Sequence, residues 1–177
     1  MMGRTFSLRG KVAANDNQVV ANHPIFDYVS PDRTRAWKVI EAYIWPVSPW
    51  SAGSVATDGF MCLNAALATD TGKFNQPQIS DPTENRMFAW AQQTYNIRDA
   101  ATDFITPNGF PLQQARFVVD PDTLITKEMY INITTSTDSD TSYSREWGWL
   151  IILEEVKVTP SESLFQQIKG IGQDITN

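Results

Sequence analysis

The chain carries one cysteine and one histidine in 177 residues. With Cys62 alone, no intrachain disulfide can form, and its apolar surroundings in "GFMCLNAAL" read as a buried structural thiol. A structural zinc site needs more thiolate and imidazole ligands than this chain owns. A nucleophile–histidine pair would have to use His23 in "ANHPIF", which has no G-x-S-x-G stretch and no neighbouring cysteine. "KGIGQD" is not a phosphate loop, because no buried strand leads into it. Long apolar runs are missing too. No run exceeds the five residues of Trp149–Leu153, whereas a membrane-spanning helix takes about 20. The opening "MMGRTFSLRGKVAANDNQ" lacks the apolar centre of a secretory signal, so export by that route is not expected. Charged residues make up only 19% of the chain and the net charge is −6, which excludes a fold-wide basic surface for nucleic acid. A local basic patch is compatible with that balance.

What is present is aromatic and turn-rich: six Trp, nine Phe, five Tyr, ten Pro and nine Gly, a supply that favours many turns over long helices. In "RAWKVIEAYIW" the period is two. Trp37, Val39, Glu41, Tyr43 and Trp45 are expected on one face, with Lys38, Ile40, Ala42 and Ile44 on the other. Both faces are largely apolar, which predicts a strand covered on both sides or at an interface. Further strands are expected over Phe60–Ala68, over Arg86–Ile97 and in "ARFVVDPDT". In "LITKEMYINITTST", Ile125, Met129, Ile131 and Ile133 share a face. "WGWLIILEEVKV" places Trp147, Trp149, Ile151 and Leu153 on one side and Leu150, Ile152, Val156 and Val158 on the other, the pattern of a central strand.

The helix signal lies at the C-terminal end. Thr159 is a candidate N-cap, Pro160 suits the first helical position, and Glu162 completes a capping box. Leu164, Phe165, Ile168, Ile171 and Ile175 follow as one apolar stripe at helical spacing. Six or seven strands with turns between them predict a mostly-β fold, a single antiparallel β-sandwich. Residues 1–22 are expected to be a flexible basic arm with Arg4, Arg9 and Lys11, and residues 23–158 the sandwich. Residues 159–177 are expected to form a helix packed on the body or on a neighbour.

Candidate sites are few. Glu154 and Glu155 point to opposite sides of a strand and cannot face each other as a catalytic pair. Asp138 and Asp140 have the D-x-D spacing of a calcium loop but lack its companion ligands. Asn132-Ile133-Thr134 is a glycosylation sequon lying within a predicted strand. Trp45 and Trp50 flank "PVSP", where exposed rings could stack on sugars. The competing reading has Trp37, Trp45, Trp90, Trp147 and Trp149 filling a core or an interface.

The segments "GRTFSLRGK", "RAWKVIEAYIW", "WGWLIILEEVKV" and "TPSESLFQQIKGI", set in a turn-rich β body, resemble the single jelly-roll capsid and virion proteins of small viruses. The resemblance spans the whole chain and is architectural. It implies a jelly roll that self-assembles in a virion, has no enzymatic activity and no cofactor, and does not span a membrane. Its implied partners are copies of itself and other virion proteins. Three basic residues among the first eleven are sparse for such an arm, which implies weak or no contact with nucleic acid. The stripe Leu164, Phe165, Ile168, Ile171 and Ile175 would serve assembly, and Arg4, Arg9 and Lys11 would touch nucleic acid or a neighbouring subunit. The alternative is a carbohydrate-binding sandwich using Trp45 and Trp50, with Asp138 and Asp140 near calcium.

Overall fold

A computed structural model describes residues 4–27, 34–47, 60–96, 114–137 and 144–171. Strands β1 (Thr5–Asn15), β9 (Ser144–Lys157), β3 (Arg35–Pro46) and β6 (Ala115–Arg116) form a four-stranded sheet in that order. Strands β2 (Val19–Asp27), β8 (Glu128–Thr137), β4 (Phe60–Ala68), β5 (Met87–Asn96) and β7 (Val118–Val119) form a five-stranded one. Two helices complete the described elements, α1 (Gln76–Ile79) and α2 (Pro160–Ile171).

Every pairing is antiparallel, and the order follows from one long folded hairpin. In it β1 lies beside β9, β2 beside β8, β3 beside β6, and β4 beside β5. Rolling that hairpin brings β9 against β3 and β8 against β4, which yields the two observed sheets. Phe117, buried between β6 and β7, carries the chain from one sheet to the other. This is a jelly roll.

Alternation drives the packing. From the four-stranded sheet, Phe6, Leu8, Val12 and Ala14 point inward with Trp147, Trp149, Ile151 and Leu153. From the five-stranded sheet, Met61, Leu63, Ala65 and Leu67 meet them with Met129, Ile131 and Ile133. Phe6 stands edge-on to Trp37, centroids 4.6 Å apart, a favoured aromatic geometry. Gly10 lies opposite Trp149, and a Cβ there would sit 2.5 Å from Trp149 Cζ2. The indole therefore occupies the space that any other residue at position 10 would claim.

Three sequence expectations are corrected. The flexible arm over residues 1–22 is not found: Thr5–Asn15 is strand β1, in unbroken register with β9, and the backbone N–H of Glu155 donates to the Arg4 carbonyl at 2.9 Å. Its polar face made it look like an arm, yet that polarity belongs to one solvent-exposed side of a strand. The simple alternation in β3 also fails. A bulge between Val39 and Glu41 inserts Ile40 as an extra residue, so Trp37 and Val39 face inward, and beyond the bulge Ala42 and Ile44 do. One added residue reverses every later side chain. Cys62 is half-buried rather than buried, its Sγ 3.6 Å from Thr94 Oγ1.

The outer face of the five-stranded sheet is covered by the connection that contains α1. Phe74 and Ile79 pack there on Ala66, Ala68 and Met87. Asn22 fastens this cover. Its Nδ2 donates to the Gly72 carbonyl at 2.8 Å, and its Oδ1 accepts from the Gly72 N–H at 2.9 Å.

Candidate assembly surfaces

Helix α2 begins as the sequence predicts. The Thr159 N–H donates to the Glu162 carboxylate at 2.8 Å, and the Glu162 N–H donates to Thr159 Oγ1 at 3.3 Å. The Thr159 N–H, and after it the Thr159 hydroxyl, which donates to the same carboxylate at 2.8 Å, hold the Glu162 carboxyl below the usual glutamate range. Just before the cap, Val158 is buried and its N–H donates to the Thr34 carbonyl at 2.9 Å, which fixes where the helix leaves the sandwich. The apolar side then projects outward: Leu164 is 54% exposed, Phe165 69% and Ile168 53%. Phe165, Leu124, Ser161 and Glu162 line a shallow open groove beside the helix start. Ile171 closes the helix, and Ile175 lies outside the described residues.

A second surface lies on the outside of the four-stranded sheet. Register sets its rows: Lys11, Gly148 and Trp45; then Arg9, Leu150, Tyr43 and Arg116; then Ser7, Ile152 and Glu41; then Thr5, Glu154 and Lys38. Its centre is apolar, built from half-buried Trp45, Leu150 and Ile152 with exposed Ile40 and Val47 near them. A Cβ on Gly148 would be 3.0 Å from Trp45 Cε2 and 3.1 Å from Val47 Cγ2, so that glycine lets both side chains lie against the sheet. Charges ring the apolar centre. Lys11 pairs with Glu146 at 3.2 Å and Arg116 approaches Glu41 at 3.6 Å. The Tyr43 hydroxyl donates to Glu41, and that bond raises its pKa. Arg9 has no ion-pair partner among the described residues.

The other predicted residues are scattered. Arg4, Arg9 and Lys11 sit on or beside an edge strand rather than in a free arm. Trp45 is in place on the sheet face, while Trp50, Asp138 and Asp140 fall outside the described residues. His23 lies in β2 opposite Ile131, away from Cys62 in β4. Asn132 is fully buried and accepts from the Asn22 N–H at 2.7 Å, so the sequon is inaccessible to a glycan. Among the described residues, no group of three His, Cys, Asp or Glu side chains is placed to hold a metal, and no helix is long and apolar enough to cross a membrane.

Sequence reasoning expected apolar strand faces at an interface but missed which residues of β3 form the outer one, because the Val39–Glu41 bulge decides which side Tyr43 and Trp45 occupy. It also missed the Asp16–Arg145 pair. The two apolar sides of "RAWKVIEAYIW" and of "WGWLIILEEVKV" indicated that the outer side meets something.

No protein-family model matches the chain, and no curated protein sequence matches it. Among solved structures, it is similar to a chain of turnip yellow mosaic virus, determined at 100 K, with 8% identity. The match covers 89% of this chain and 96% of that one at a TM-score of 0.35. It is likewise similar to a chain of cocksfoot mottle virus at 13% identity, covering 90% of this chain and 87% of that one, TM-score 0.33. The resemblance to virus structures is weak, and the fold assignment rests on strand order.

Proposed function

We propose that this chain is a structural subunit of a virus particle, without enzymatic activity, that self-assembles through apolar surface on its strands and its terminal helix. The observation that carries the reading is α2: a capped helix on a jelly roll, with Leu164, Phe165 and Ile168 each more than half exposed. A helix this short is marginal alone in water and takes most of its stability from packing of its apolar side. A stripe left uncovered by its own sandwich therefore favours cover from another molecule. The jelly roll is an architecture shared by capsid and lectin domains. It is the exposed ridge, together with the sparse charge of the chain, that favours the assembling member of that pair.

The test is mass in solution at two concentrations by light scattering, with negative-stain images of the same sample. Defined oligomers or particles are expected, and Ile168→Asp should abolish them while leaving the sandwich folded. A monomer of 19.9 kDa at both concentrations would sink the reading. The sugar-binding alternative has one observation in its favour, the half-buried rings of Tyr43 and Trp45 side by side on an outer face. It predicts a monomer whose tryptophan fluorescence is quenched by a glycan.

A further inference from the structure

Among the described residues, two apolar surfaces are left open, one on a helix and one on a sheet. One is a ridge, the Leu164–Phe165–Ile168 side of α2. The other is a sheet face, the half-buried Trp45–Leu150–Ile152 centre on the outside of the four-stranded sheet. The ridge does not reach its own face. Val158 is buried and hydrogen-bonded to Thr34, the capping box sets the helix direction two residues later, and the stripe remains exposed.

Charge selects the occupant. The chain has a net charge of −6, so copies repel unless they meet where the acidic groups are not. The outer sheet face carries four cations, Arg9, Lys11, Lys38 and Arg116, against three anions, Glu41, Glu146 and Glu154. It is thus slightly positive on an acidic protein. Arg9 stands next to Leu150 with no ion-pair partner among the described residues. On α2, Glu162 lies three residues before Phe165 and so shares its side of the helix. Ridge and face are alike in apolar character and opposite in the sign of the charge beside them.

Resting on the self-assembly reading, we propose that the apolar side of α2 docks on the outer face of the four-stranded sheet of a second copy of this chain. Phe165 and Ile168 cover Leu150 and Ile152, and Glu162 lies toward Arg9. Each copy offers one ridge and one face, so the contact is heterologous. It propagates from copy to copy until a ring or shell closes.

The decisive experiment mixes two variants, each of which first shows a circular dichroism spectrum and a cooperative melt like the parent's. Ile168→Asp spoils the ridge and keeps the face; Ile152→Arg spoils the face and keeps the ridge. Light scattering should find each alone as a monomer, and a mixture as a dimer of about twice 19.9 kDa, joined by the one intact contact. If ridges instead paired with ridges, Ile152→Arg would assemble like the parent, which overturns this contact and spares the self-assembly reading. A monomeric parent overturns both. Should Ile152→Arg fail to fold, a photo-crosslinking amino acid at position 165 of the otherwise native chain gives the answer. Adducts to β3 or β9 of another copy are expected. Adducts on α2, adducts elsewhere, or none in an oligomeric sample overturn the contact.

Discussion

Asp16 and Arg145 meet as a forked ion pair sealed inside the sandwich: Arg145 Nε and Nη2 each lie 2.9 Å from an Asp16 carboxylate oxygen, and the side chains are 0% and 4% exposed. Thr135 Oγ1 adds a contact at 3.3 Å. The pair joins the β1–β2 turn to the first turn-side residues of β9 and to β8, locking both sheets at one end. Removing one partner leaves a buried charge uncompensated. Asp16→Ala should therefore destabilise the fold by about 3–5 kcal/mol in a denaturant titration. Replacing both with apolar residues of similar size should cost far less, since breaking such a pair is worse than never having it. A single Asp16→Ala that melts like the parent would contradict this.

Asn22 combines a left-handed backbone, φ 58°, with two side-chain bonds to Gly72. Asn22→Ala loses both bonds and strains the backbone, whereas Asn22→Gly loses the bonds alone. The expected order of stability is parent, then Gly, then Ala, with the alanine variant down by about 1–3 kcal/mol. Hydrogen exchange of the Gly72 amide should accelerate in both. Equal losses for Ala and Gly would remove the backbone part of the argument.

The α2 cap should respond to acid. The Glu162 carboxyl titrates below its ordinary value in the folded chain because Thr159 bonds its ionised form. A depressed carboxyl contributes stability that is present above its unfolded value of about 4.3 and is lost as pH falls through the lower folded value. Helix signals from residues 160–168 should thus weaken below about pH 4 before the sandwich melts. Glu162→Gln should flatten that response in amide shifts followed by NMR.

Tyr95 makes the opposite prediction on the alkaline side. Burial pushes its hydroxyl up to about 12, and its ring packs 5.8 Å from that of Trp147 in the core. A raised tyrosine favours the fold below its unfolded value of about 10, and this contribution is lost as pH rises toward the folded one. Unfolding should become easier from about pH 10 upward. Tyr95→Phe should lessen that slope in melts recorded at several alkaline pH values.

Local chemistry in the sequence determined a good deal of this protein. The Thr159–Pro160–Glu162 cap, the strand over Phe60–Ala68 and the central place of "WGWLIILEEVKV" were legible because each rests on neighbours in the chain: a cap on residues three apart, a strand on alternation. The two apolar sides of that last segment announced a β-sandwich buried within and meeting something without. Tertiary structure decided what depends on register and distant partners. Thr5–Asn15 became a strand only because β9 offers it a partner in unbroken register, with Gly10 making room for Trp149. The Val39–Glu41 bulge turned Tyr43 and Trp45 outward, and so created the sheet face on which the proposed contact depends. Asp16 found Arg145 from 129 residues away. Such relations are set by how strands pair across the fold, and pairing between distant strands leaves no periodic mark in the sequence of either one.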